Sequence, residues 1–367
     1  MMREAGRGLA AAAAALLAMV MVAAAGLALL GAGRTGGFGA LTAAVVALAA
    51  GGTAEVGAAP AGGLPVVVRG DLHLLPLGVS LAGAAVLAGV LLRRRENGLL
   101  VRGAAAAAGL AMGLSAFAFA ARGKLALPGS VTTAGCVRNG VSPRLPGSGG
   151  LDAGFSVAAG PAVAGAVAGT VVVVGTCLLG TRFPVVTSSL RALRWPAAGL
   201  AVLCLAAAWI FGGAPAAAVV LLALPQLVCG AVTLGLGVPW TTTGLLSCAP
   251  DLSPGGPASW VAAAVLLACG VAARSRRPGD PLRRAVASAV RLGPVVGAVI
   301  AVVTLLSRAS VDITVSAFGL SLPVFDARLT ANPLLALVAG VVGGAVAGFA
   351  GSLLADGISV SSRAWKR

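Results

Sequence analysis

Residues 72–92 form 21 consecutive positions with no charge except what His73 can carry, and Arg93, Arg94 and Arg95 follow at once. As a helix, such a stretch reaches across the ~30 Å hydrocarbon core of a bilayer. Arginines stacked against the end of an apolar span stay on the cytoplasmic side, because short basic loops resist translocation. The polar lead before the span, with Arg69, Asp71 and His73, then belongs outside. This one stretch sets the orientation for the whole chain.

Similar apolar stretches recur near 9–31, 38–54, 72–92, 103–121, 156–180, 196–213, 216–236, 259–273, 292–308 and 332–355. With 59% hydrophobic and 10% charged residues and a mean hydropathy of +1.02, this is one membrane domain over 1–367, not a soluble domain with an anchor. The net charge of +16 does not imply nucleic acid, since the positives sit in loops beside apolar spans. The partner it implies is the lipid bilayer. The first apolar run exceeds the length of a signal-peptide core, and more spans follow, so it is expected to stay as the first helix.

Two topologies keep both termini inside. If all ten stretches cross, 16 Lys and Arg fall inside and 10 outside. If 38–54 does not fully cross and 196–236 crosses once net, eight crossings remain, with 18 inside and 8 outside. The short loops holding Arg93–Arg95 and Arg274–Arg291 obey the positive-inside rule best, whereas the long Gly- and Pro-rich stretch 122–155 translocates whatever its charge. Eight crossings is therefore preferred and ten is the alternative. Segments 55–71, 122–155, 237–258 and 309–331 then meet outside. In the last, Val311, Ile313 and Val315 alternate with Asp312, Thr314 and Ser316, Gly319 offers a turn, and 321–330 runs back, which predicts a hairpin. The β-rich residues 64–70 lie on the same side. The expected fold is an all-α polytopic membrane bundle with a small extracytoplasmic β-containing cap, in the cell membrane.

GALTAAVVALAAGG at 39–52, PLGVSLAGAAVLAG at 76–89 and SVDITVSAFGL at 310–320 resemble the streptophobe family, uncharacterised multi-span membrane proteins of actinobacteria. The resemblance implies an integral membrane protein of unknown function and carries no catalytic residues.

The chemistry-bearing residues are few. His73 is the only histidine and has Asp71 nearby, but no second ligand cluster and no GxSxG elbow accompany them, so an interfacial polar pair is the plainer reading. All ten acids sit in loops or at span ends, which speaks against a proton-coupled carrier, and no Walker A or GxGxxG follows a strand. No enzyme and no cofactor is expected. Gln226 beside Pro225 is the one amide at depth, at an expected helix break, and is the candidate solute contact of a permease. Gly340, Gly344 and Gly348 repeat at four-residue spacing and predict close helix packing within the chain, with homo-oligomerisation through the same ladder left open. Cys177, Cys204, Cys229 and Cys269 lie in apolar spans, while Cys136 and Cys248 lie in polar loops on the same outer face and form a candidate disulfide. The leading expectation is a non-enzymatic envelope scaffold or sensor; the alternative is a small-solute permease with a broken-helix site near Pro225 and Gln226.

Overall fold

The computed structural model describes residues 2–34, 37–59, 66–92, 98–126, 152–182, 184–244, 256–272, 280–317 and 320–364. Its helices are α1 (Met2–Leu29), α2 (Phe38–Ala49), α3 (Leu77–Leu92), α4 (Leu99–Ala120), α5 (Ala159–Arg182), α6 (Pro184–Gly235), α7 (Pro257–Ala272), α8 (Pro281–Leu306) and α9 (Pro333–Ala364). Six of the described helices, α1, α4, α5, α6, α8 and α9, are long and apolar enough to cross a membrane by length and composition; α2, α3 and α7 are shorter apolar helices. The chain is thus a multi-pass membrane protein.

The bundle is built inside out relative to a water-soluble core. Its centre is alanine and glycine, with Ala11, Ala23, Ala106, Ala162, Ala217, Ala285 and Ala336 fully buried. Its rim carries the bulk: Ile210 is 74% exposed, Phe211 89% and Val346 63%. Lipid tails solvate such a rim as well as protein does, so the small residues go where backbones must meet. Two cores result. One joins α1 to α5 around Val46, Val79, Leu91 and Leu114; the other joins α6 to α9 around Val232, Leu266 and Ile300. Helix α6 links them.

Short strands between the helices complete the fold: β1 (Ala54–Ala59), β2 (Val66–His73), β3 (Gly123–Ala126), β4 (Asp152–Val157), β5 (Trp240–Gly244), β6 (Ala309–Ala317) and β7 (Leu320–Ala331). They pair antiparallel in one sheet, ordered β3-β4-β1-β2-β6-β7-β5. The hairpin expected over 309–331 is β6 and β7, with a bulge between Ile313 and Thr314, and all four segments expected to meet contribute strands. The sheet therefore marks one end of the bundle. Helices α3, α5, α7 and α9 lead away from it, and α1, α4 and α8 lead toward it.

Two expectations need correcting in detail. Helix α6 starts at Pro184 and α8 at Pro281, so much of 181–195 and 281–291, expected as loop, is helical. Proline suits a first helical turn because its missing N–H has no intrahelical partner there; Pro333 begins α9 in the same way, with the Asn332 side chain accepting from Leu334 N at 3.0 Å. Second, the break in α6 is not at Pro225. It falls at Gly213, whose φ of 69° is a backbone state that glycine adopts freely. The helix runs through Pro225, whose ring removes the bond to the Leu221 carbonyl. That carbonyl lies against Gly78 of α3, where a Cβ would have no room, and Leu222 O is only 2.6 Å from the same point.

Both ends of α2, and Leu222 and Gly235 in the second limb of α6, pack against residues at the sheet end. The Ser80 hydroxyl donates to Ala49 O at 2.6 Å at one end of α2, and Ala40 at the other sits 3.7 Å from where a Gly123 Cβ would be. In the second limb of α6, Leu222 packs on Gly26 and Gly78, and Gly235 on Ala258, all sheet-end residues.

Candidate functional site

The sheet has two unlike faces, because side chains alternate along each strand. On one face, Val157 and Ala331 are buried at 6% and Phe155 joins the cluster of Ala43, Ala44, Ala47, Ala118 and Ala121, so this face seats on the helix ends. On the other, Glu55, Arg69, Asp71, His73, Asp326, Arg328 and Thr241 are exposed. The polar face is where chemistry can be displayed.

Register assembles on it something the linear sequence hides. Glu55 pairs with Asp71, Asp71 with Asp312, and Asp312 with Asp326, so one carboxylate from each of β1, β2, β6 and β7 falls in a single row across the sheet. Ser156 of β4 extends the row beyond Glu55. Like charges directly opposite one another destabilise a sheet. Arg328, one step along β7, offsets part of that repulsion, with Asp326 at 3.2 Å and Asp312 at 3.6 Å. Arg69 sits on the other side of the row, opposite Thr314, whose hydroxyl donates weakly to the Arg69 carbonyl at 3.4 Å. Four carboxylates flanked by two guanidinium groups make this row acidic in a strongly basic protein.

Asp71 and His73 share this face, two positions apart on β2. His73 stands opposite Ser310 and Asp71 opposite Asp312, and among the described residues no group of His, Cys, Asp and Glu is arranged to hold a metal ion.

Gln226 is held by the scaffold. Its Nε2 donates to the Leu75 carbonyl, tying the second limb of α6 to the connection between β2 and α3. Leu75 lies between β2 and α3, and the amide of Gln226 supplies a donor for its carbonyl. Nearby, Trp240 Nε1 donates to Thr233 Oγ1 at 2.9 Å, fastening β5 to the end of α6.

The glycine ladder of α9 faces α8 of the same chain. A Cβ at Gly340 would lie 2.8 Å from Gly297 Cα, one at Gly344 2.8 Å from Val296 Cβ, and one at Gly348 3.0 Å from Ser288 O. The Ser288 hydroxyl also donates to Gly348 O at 3.1 Å. Cys136 and Cys248 lie outside the described residues; Cys177, Cys204, Cys229 and Cys269 are free thiols.

At the far end, Glu4 of α1 is paired with Arg102, which is 4% exposed at the start of α4, and with Arg7 at 2.7 Å. A buried guanidinium needs such a partner. No family profile, no curated protein and no solved structure matches the chain.

Proposed function

We propose that the chain crosses the cell membrane eight times, keeps both termini in the cytoplasm, and presents its sheet outside as a non-enzymatic scaffold or sensor. The observation that carries this reading is the acidic row. Glu55 and Asp71 from the α2–α3 connection and Asp312 and Asp326 from the α8–α9 connection are collected onto one face, at a cost in mutual repulsion and with no other part of the described chain covering them. Such a face suits a basic protein segment as its partner.

The orientation draws on charge. The two termini, the connections away from the sheet and the helix ends beside them hold 18 of the 26 Lys and Arg, and short basic loops stay inside. The count of eight draws on α2, whose ends both stay at the sheet, and on α6, which traverses once net. Membership of the streptophobe family and a Cys136–Cys248 bridge on the outer face belong to the same proposal. The rival is a permease with its path past Gln226; against it, the Gln226 amide already serves the Leu75 carbonyl.

Photo-crosslinking in living cells tests the reading. A photoreactive residue at Thr241, on the polar face, is expected to trap a protein partner, and trapping should fall when Asp71 and Asp312 are changed to Lys. A solute that stabilises the purified protein, with the effect lost in Gln226→Ala, would instead support the permease.

A further inference from the structure

Helix α8 packs on one side only. Ala285, Ser288, Gly293 and Gly297 face α9. On the opposite side of its first turns Arg283 and Arg291 are exposed, and between them Val286 and Val290 are 48% and 69% exposed. With Leu282, Ala287 and the stems of both arginines they line an open hollow of about 420 Å³ whose surface is almost wholly apolar. Among the described residues neither arginine has a carboxylate partner.

Depth makes this arrangement informative. From Leu306, at the sheet end, back to Arg291 is 15 residues of helix, or about 22 Å, less than the ~30 Å hydrocarbon core. With Leu306 placed at the sheet-side edge of the apolar layer, Arg291, which is exposed, has its backbone inside that layer. Long basic side chains in that position reach toward the nearer interface, where lipid phosphates lie. Arg283, eight residues nearer that interface, is about 12 Å along the helix.

We propose that Arg283 and Arg291 bind the phosphate of an anionic phospholipid in the leaflet away from the sheet, with an acyl chain lying over Val286 and Val290. The guanidinium fork matches phosphate oxygens, and the lipid's net negative charge complements two exposed arginines that have no carboxylate partner among the described residues. Free phosphate shares the headgroup chemistry but has nothing to cover the apolar floor.

The test uses the full chain in mixed micelles, with dioleoyl-phosphatidylglycerol, dioleoyl-phosphatidylcholine and inorganic phosphate as probes, and native mass spectrometry to count retained lipid. Phosphatidylglycerol is expected to be retained in preference to phosphatidylcholine, and R283Q/R291Q to bind it about tenfold more weakly, as loss of two charge-assisted contacts implies. Equal retention of the two lipids, displacement by inorganic phosphate, or unchanged affinity in R283Q/R291Q would overturn the proposal. Should that variant fail to fold, phenylglyoxal modification of the unaltered protein serves instead. Phosphatidylglycerol should protect Arg283 and Arg291 but not Arg308, which is exposed at the sheet end; equal modification with and without the lipid overturns it.

Discussion

The two ends of the bundle solve opposite problems. At the sheet end, seven strands from four connections are held in register, and charges of both signs stand in fixed relation to their neighbours. At the far end no described strand forms, and the basic excess sits near helix termini, with buried Arg102 paired to partly exposed Glu4. The difference teaches where order comes from in a chain this apolar. Helices satisfy their own backbones, so a loop between them needs no partner to be stable in place. Strands satisfy theirs only across the sequence, so the sheet end is the part that fixes how the two helical cores sit beside one another.

The largest test of that contrast is Gly165→Leu. A side chain there meets the Ala50 carbonyl where α5 leaves the sheet, whereas Gly169, one turn on, has open space. Gly165→Leu should lose about 3 kcal/mol or more, read as a fall in melting temperature in detergent, while Gly169→Leu should change little. Next is the α8–α9 seam, which runs from the sheet end toward the far end. Gly340→Leu or Gly344→Leu should each cost about 1–3 kcal/mol by forcing the helices apart. A changed oligomeric state with unchanged melting would instead assign the ladder to a second copy of the chain.

Smaller effects sharpen the picture of the sheet itself. Trp240→Phe removes the bond to Thr233 and should cost about 1 kcal/mol, loosening β5 before the central strands, as hydrogen exchange can follow. Asp71→Asn should act the other way. Asp71 stands between Glu55 and Asp312, so removing its charge should raise stability by a few tenths of a kcal/mol, up to about 0.5, at low salt. The gain should shrink in high salt, because these carboxylates are exposed and screened.

Much of the bundle is legible in the sequence, because a membrane span is a local signal of length and composition. So are β2 and the β6–β7 hairpin, whose Val, Ile, Thr and Ser alternate. Strands β1, β3, β4 and β5 are not: Ala54–Ala59 and Trp240–Gly244 are short and rich in Ala, Gly or Thr, and become strands through their neighbours. The acidic row is invisible for the same reason. It joins positions 55, 71, 312 and 326, which only long-range register brings together. Helix starts at Pro184 and Pro281 are hidden by the arginines that follow them, which read as loop. Pro225 reads as a break because a sequence cannot display Gly78, the neighbour that accommodates the carbonyl it frees.

The central claim is that the sheet faces outward and the arginine-rich end inward. In a background with the native cysteines replaced, cysteines introduced separately at His73 and Asn97 can be treated with a membrane-impermeant maleimide in intact cells. His73→Cys lies on the exposed face of β2 and should label at once, whereas Asn97→Cys, beside Arg93–Arg95 in sequence, should label only after the membrane is permeabilised. Labelling of Asn97→Cys in intact cells as strong as that of His73→Cys, or a reversal of the two, would contradict the account.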